Sequence, residues 1–156
     1  MTEKEIFEHL FEISKQSKDP RGVVSVCLVD DDKILISKPS ADDGIYHAED
    51  LLIKEIIKNG ITFSTDATLY STLHPCSKRS NPALKDCASQ IIDIGIKKVV
   101  FGAKDPKQFE ATQKRFAETD IEFRQTKDTE IIRRCALIFN DSLSPDQKDV
   151  NLKPLE

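Results

Sequence analysis

Val23 to Val29, Ala67 to Leu73 and Lys97 to Gly102 are short, nearly continuous apolar runs, and most stretches around them repeat apolar residues at helical spacing. Apolar runs of this length suit strands buried on both faces. A strand, a crossover helix and another strand favour parallel pairing with a right-handed connection. The pattern therefore predicts an α/β chain, and the helix and turn signals supply the order of its elements.

Ile6, Leu10, Phe11 and Ile13 make an opening amphipathic helix over residues 3–17, which Asp19-Pro20-Arg21-Gly22 stops. Asp30-Asp31-Asp32 turns the first strand into Ile34-Leu35-Ile36, a hairpin. His47 to Lys58 carries Leu51, Leu52, Ile56 and Ile57 and ends at Asn59-Gly60, a helix stop. Pro75 ends the third strand, and Asp86 and Gly95 bracket a short helix that begins at Cys87. The fourth strand, over 97–102, is followed by a helix through Phe109, Thr112, Phe116 and Ala117. A fifth strand over 121–123 and a last helix over 130–139 complete the series. The expected fold is a three-layer α/β/α sandwich with a five-stranded mixed sheet and strands three to five parallel. Residues 1–140 read as a single domain, and 141–156, dominated by Ser, Pro, Asp, Gln, Lys and Asn, as a mobile tail.

Composition narrows the function. The chain has 156 residues, with 23 Lys+Arg against 27 Asp+Glu and a net charge of −4. It has no dense basic block, which argues against holding nucleic acid by charge alone. No apolar run approaches the roughly 20 residues of a membrane span, and the acidic start lacks a signal-peptide pattern, so a soluble cytoplasmic protein with no membrane partner is expected. In that setting Cys27, Cys76, Cys87 and Cys135 read as reduced thiols. Cys27 and Cys135 fall on apolar segments and read as core. There is no G-x-G-x-x-G or Walker-type loop, so dinucleotide and ATP chemistry get no support.

His47-Ala48-Glu49 at one helix start, Pro75-Cys76 at a strand end and Cys87 at the next helix start each stand at an element end. Strand C-termini and helix N-termini are where open α/β sheets gather ligands, so these side chains are expected to converge. Two thiols and an imidazole are a zinc set, and three protein ligands leave the open position of a catalytic site. Cys87, in a first helical turn, is placed to ionise before metal arrives. Glu49 is a carboxylate able to shuttle protons between water, ring nitrogen and leaving amine. Tyr46 is the aromatic expected to line the pocket, or else to cover the helix start.

The H-x-E, P-C and second Cys together resemble the zinc signature of the cytidine deaminase superfamily, and the element order agrees from about Glu5 to Phe139. The resemblance implies zinc on His47, Cys76 and Cys87, a proton shuttle on Glu49, and a homo-oligomer, a dimer being expected. Within the superfamily, ten residues between the cysteines, the run Thr72-Leu73-His74-Pro75-Cys76-Ser77, and Lys104-Asp105-Pro106 are similar to the pyrimidine deaminases of riboflavin biosynthesis. That group has Asn-Pro-x where this chain has Asp19-Pro20-Arg21, and glutamate where it has His74. The substrate so implied is a small pyrimidine nucleotide, a diaminopyrimidine phosphate. Lys78, Arg79 and Lys85 in the inter-cysteine loop either seat its phosphate or are solvated loop charges. Two alternatives stay open. One is a deaminase of another nucleoside, nucleotide or nucleic-acid base. The other is a structural zinc domain in which His74 closes the metal shell.

Overall fold

A computed structural model describes residues 1–152, apart from the side chains of Lys148 and Asp149. The order is α1 (Glu3–Ser14), β1 (Ser25–Asp30), β2 (Lys33–Pro39), α2 (Ala48–Asn59), β3 (Thr68–Leu73), α3 (Cys87–Ile94), β4 (Lys98–Ala103), α4 (Phe109–Ala117), β5 (Glu122–Gln125), α5 (Thr129–Ser142) and a short 3-10 turn, Pro145–Val150. The helix ends follow local chemistry. Thr2 and Glu5 form a capping box on α1, Asp86 accepts from the Ser89 N–H to cap α3, and Asp128 caps α5. Gly60 and Gly95 stop α2 and α3 in the left-handed conformation.

The strands form one sheet in the order β2-β1-β3-β4-β5. β1 pairs antiparallel with β2 and β3, while β3, β4 and β5 run parallel, which is the expected mixed sheet. Alternate strand residues feed two cores. Val26, Leu28, Leu69 and Val99 meet Leu52, Ile56, Ile91 and Phe116 of α2, α3 and α4. On the opposite face Cys27 and Val100 meet Phe7, Leu10, Ile131 and Cys135 of α1 and α5. Burial on both faces explains why these strands read as unbroken apolar runs.

Asp141 and Ser142, read as the start of the tail, complete α5. Leu143 and Leu152 are buried, and Leu152 is held at both its N–H and its carbonyl by the Asn140 side chain. Residues 153–156 of the expected tail lie outside the described residues. Among the described residues no helix is long and apolar enough to cross a membrane.

Candidate metal centre

The parallel strands β3 and β4 point their C-terminal ends toward the N-termini of α2 and α3, and the chemistry-bearing residues collect there. β3 ends at Leu73, and Pro75-Cys76 follows at once. The Cys76 carbonyl accepts from the Ala88 N–H at 2.9 Å, and the Pro75 carbonyl accepts from the Thr112 hydroxyl at 3.1 Å. Both cysteine segments are thereby pinned to the helices behind them. His47 is the N-cap of α2, with extended backbone.

His47 Nδ1 lies 3.4 Å from Cys87 Sγ and 3.6 Å from Cys76 Sγ, and the three ligand atoms all fall within 4.8 Å of one another. A tetrahedral zinc with about 2.05 Å to nitrogen and about 2.3 Å to sulfur sets N and S about 3.6 Å apart, so the donor set fits this ion. His74 is outside the cluster. Its Nδ1 is 3.1 Å from the Pro75 carbonyl and its Nε2 3.4 Å from the Asp105 carbonyl, and its ring packs edge-on to Phe101 and Phe109. It ties the end of β3 to the segment before α4.

The electrostatics reverse one expectation. Cys76, rather than Cys87, is the thiol whose pKa is drawn down. Cys76 is driven well below the usual thiol range, first by the Cys87 thiol that donates to it and then by His47 and the Cys87 N–H. Cys87 keeps the shared proton, because it faces that neighbour and is fully buried. The hydrogen bond between the two sulfurs acts on them in opposite directions, and the burial of Cys87 adds to its upward shift. For His47, burial opposes the charged form, but the Cys76 sulfur and Glu49 outweigh it and the net shift is upward. Glu49 is 3% exposed, and burial pushes its carboxyl up to about 7, against the pull of His47.

Glu49, His47 and Cys76 line a cavity of about 190 Å³ together with Asp19, Ser40, His74, Asp105 and Phe139. Gly22 also borders it, at φ +109°, and a Cβ there would sit 2.3 Å from the Phe139 ring, so only glycine lets that ring close the wall. A shallower groove of about 430 Å³ adjoins it, sharing Arg21, His47, Cys76 and Gln108 and adding Lys78, Arg79, Ser80 and Asn81.

The substrate-contact candidates separate. Lys78 is exposed at the groove. The Arg79 guanidinium is taken up by Asp50, at 3.1 and 3.0 Å, and by the Ile45 and Lys85 carbonyls. Lys85 pairs with Asp93, away from the cavity. Tyr46 is 47% exposed and lines a different surface groove with Leu51, Ile57 and Ile94.

Two residues that the sequence did not single out matter here. Asp50 accepts from the His47 N–H at 2.7 Å, from Arg79 and from Gln90 Nε2 at 2.7 Å. It therefore clamps the metal histidine to the loop and to α3. Burial raises its carboxyl, but Arg79 and Gln90 win and hold it low. An acid three residues past an N-cap is a capping signal that would have found it. Arg21, which lines both the cavity and the groove, makes no side-chain hydrogen bond or ion pair among the described residues.

The fold and a three-donor metal set beside a buried carboxylate define a zinc site of the deaminase kind. The chain belongs to the family described as the cytidine and deoxycytidylate deaminase zinc-binding region, whose profile matches residues 1–103. It is 32% identical over 114 residues to a tRNA-specific adenosine deaminase of Bacillus subtilis, a match covering 69% of this chain and 66% of that relative. It is 27% identical, at a TM-score of 0.63, to the crystal structure of a diaminohydroxyphosphoribosylaminopyrimidine deaminase/5-amino-6-(5-phosphoribosylamino)uracil reductase of Thermotoga maritima. That match covers 80% of this chain and 37% of that one. A Rib2 deaminase of Aspergillus oryzae shares the fold at a TM-score of 0.76 and 18% identity, over 94% of this chain and 95% of that one.

Proposed function

We propose that the protein is a hydrolytic deaminase of an amine-bearing pyrimidine nucleotide, a phosphorylated diaminopyrimidine of the riboflavin pathway being the favoured substrate. The observation that carries this is a buried Glu49 beside a three-donor metal set, in a cavity that adjoins a polar groove with Arg21 and Lys78 free. The cavity is smaller than the roughly 300–1,000 Å³ of a cleft that holds a whole drug-sized ligand. It takes the ring, and the ribosyl phosphate lies along the groove.

His47, Cys76 and Cys87 hold the zinc, which when bound supplies a water acidic enough to attack at neutral pH. Glu49 does the proton work. With a carboxyl near 7 it accepts a proton at neutral pH, delivers it to the ring nitrogen beside the amine-bearing carbon, and then serves the departing amine. Asp50 keeps His47 in place through the backbone. The Thermotoga relative's printed activity supports the riboflavin-type substrate, and the Bacillus relative's identity supports a second reading, an adenosine of tRNA. Self-association is part of the proposal. Ile57, 71% exposed on α2, sits with Tyr46 on the apolar groove that a second copy would cover, and light scattering at micromolar protein tests it.

The experiment is ammonia release from a diaminopyrimidine ribosyl phosphate, cytidine, deoxycytidylate, guanine and a tRNA anticodon stem-loop, with Glu49→Ala as the blank. Release from the diaminopyrimidine phosphate alone is expected. Release from the stem-loop alone would replace this substrate with the second reading, and silence from every substrate with zinc bound would overturn the deaminase.

A further inference from the structure

The loop between the two metal cysteines, residues 77–86, carries no helix or strand, yet it joins two of the three donors. One side chain fixes it. The Arg79 guanidinium, 4% exposed, makes four hydrogen bonds to three separate stretches of chain. Two go to the Asp50 carboxylate, one to the Ile45 carbonyl at 3.2 Å and one to the Lys85 carbonyl at 3.2 Å. Each partner stands beside a metal donor in the chain. Ile45 is two residues before His47, Lys85 two before Cys87, Asp50 three after His47, and Arg79 itself three after Cys76. A single group therefore reaches all three donor segments, although His47 and Cys76 are 29 positions apart and Cys76 and Cys87 are 11. From α3, Gln90 Nε2 supports two of the same acceptors, Asp50 Oδ1 at 2.7 Å and the Lys85 carbonyl at 2.9 Å.

We propose that Arg79 is the positioning residue of the metal centre, setting the spacing of His47, Cys76 and Cys87 before a metal arrives, so that zinc once bound leaves slowly. This rests on the donor set and not on the substrate proposed above, so a chain that released no ammonia would leave it standing. The shape of the cation carries the role more than its charge. A guanidinium holds its N–H groups in fixed directions, and this one engages both carboxylate oxygens and two carbonyls at once. An ammonium keeps a cation for Asp50, but it is a point donor on a flexible stem and does not span those acceptors. Groups that orient metal ligands are worth about 10–100-fold in metal affinity.

The test compares the zinc-loaded full chain with Arg79→Lys and with Lys85→Ala, which removes the exposed pair with Asp93 from the same loop and keeps the carbonyl that Arg79 holds. Zinc release into a chromogenic chelator should be at least about tenfold faster for Arg79→Lys and unchanged for Lys85→Ala. Cobalt(II), whose visible bands follow the geometry of its ligands, reads the site itself. The wild type and Lys85→Ala should share one cobalt spectrum, and Arg79→Lys should shift or weaken it, which loss of a merely stabilising side chain would not do. Release and spectrum unchanged in Arg79→Lys would mean that any cation suffices and would overturn the assignment. Equal acceleration by Lys85→Ala would overturn it too, by making the effect one of loop order in general. If Arg79→Lys fails to fold, amide exchange of the wild-type chain decides. Residues 77–86 should be as protected without zinc as with it, and protection gained only on loading would show that the metal, and not Arg79, orders the loop.

Discussion

The metal end of the sheet and the core layer under α1 and α5 each contain two cysteines, and the two settings treat the thiol differently. Cys27 and Cys135 are as buried as Cys87 and have no strong donor aimed at sulfur, so burial pushes Cys27 up to about 12 and drives Cys135 up as well. Cys76 is held low, because the Cys87 thiol, the Cys87 N–H and His47 all converge on it. Burial alone makes a thiol inert. Burial with convergent donors makes it a ligand.

The sharpest way to break that contrast is to remove a sulfur from each region. Cys76→Ala or Cys87→Ala should take zinc from one per chain to near none and abolish turnover, while Cys27→Ala keeps the full zinc content. Metal analysis of the purified variants checks this. Next in size, Glu49→Gln should keep the zinc and lower kcat by about 10²–10⁴-fold, the range of a lost general acid–base, as read in an ammonia assay. Turnover within a factor of two of wild type would remove the carboxylate from the mechanism.

Asp50→Ala strands the Arg79 guanidinium, whose side chain is 4% exposed, and should destabilise the fold by about 3–5 kcal/mol in urea unfolding, with weakened zinc retention. The smallest effect belongs to the core thiols. Folded Cys27 has a pKa near 12 against an ordinary value of 9.0, so the unfolded chain loses its proton first. Stability from this group is therefore complete below pH 9 and declines as pH rises toward 12, and Cys27→Ala should flatten that decline.

The contrast also marks what was legible in the sequence. The element order and helix ends were readable because apolar runs, Asp86, Gly60 and Gly95 act locally, within a turn of where they stand, whereas the place of β1 beside β3 was not. The metal donors were readable for the same reason, each sitting at an element boundary. What escaped was set across long separations. The fate of Arg79 depends on Asp50, 29 positions earlier, and that of Lys85 on Asp93 in the helix that follows. The direction in which each cysteine's pKa moves turns first on which sulfur donates to the other, 11 positions apart in the chain. The tail read as mobile carries Leu152, whose docking depends on Asn140.

Phe139 gives the cavity a history. The metal donors are complete in the chain once Cys87 has been made, but the wall opposite Gly22 comes from the last helix, 52 residues later. On the ribosome, where chains fold from the N-terminus as they emerge, a nascent chain has all its metal ligands before it can enclose a substrate. Readiness for metal and readiness for substrate are separate events in the life of this protein, and the order of its residues sets which comes first.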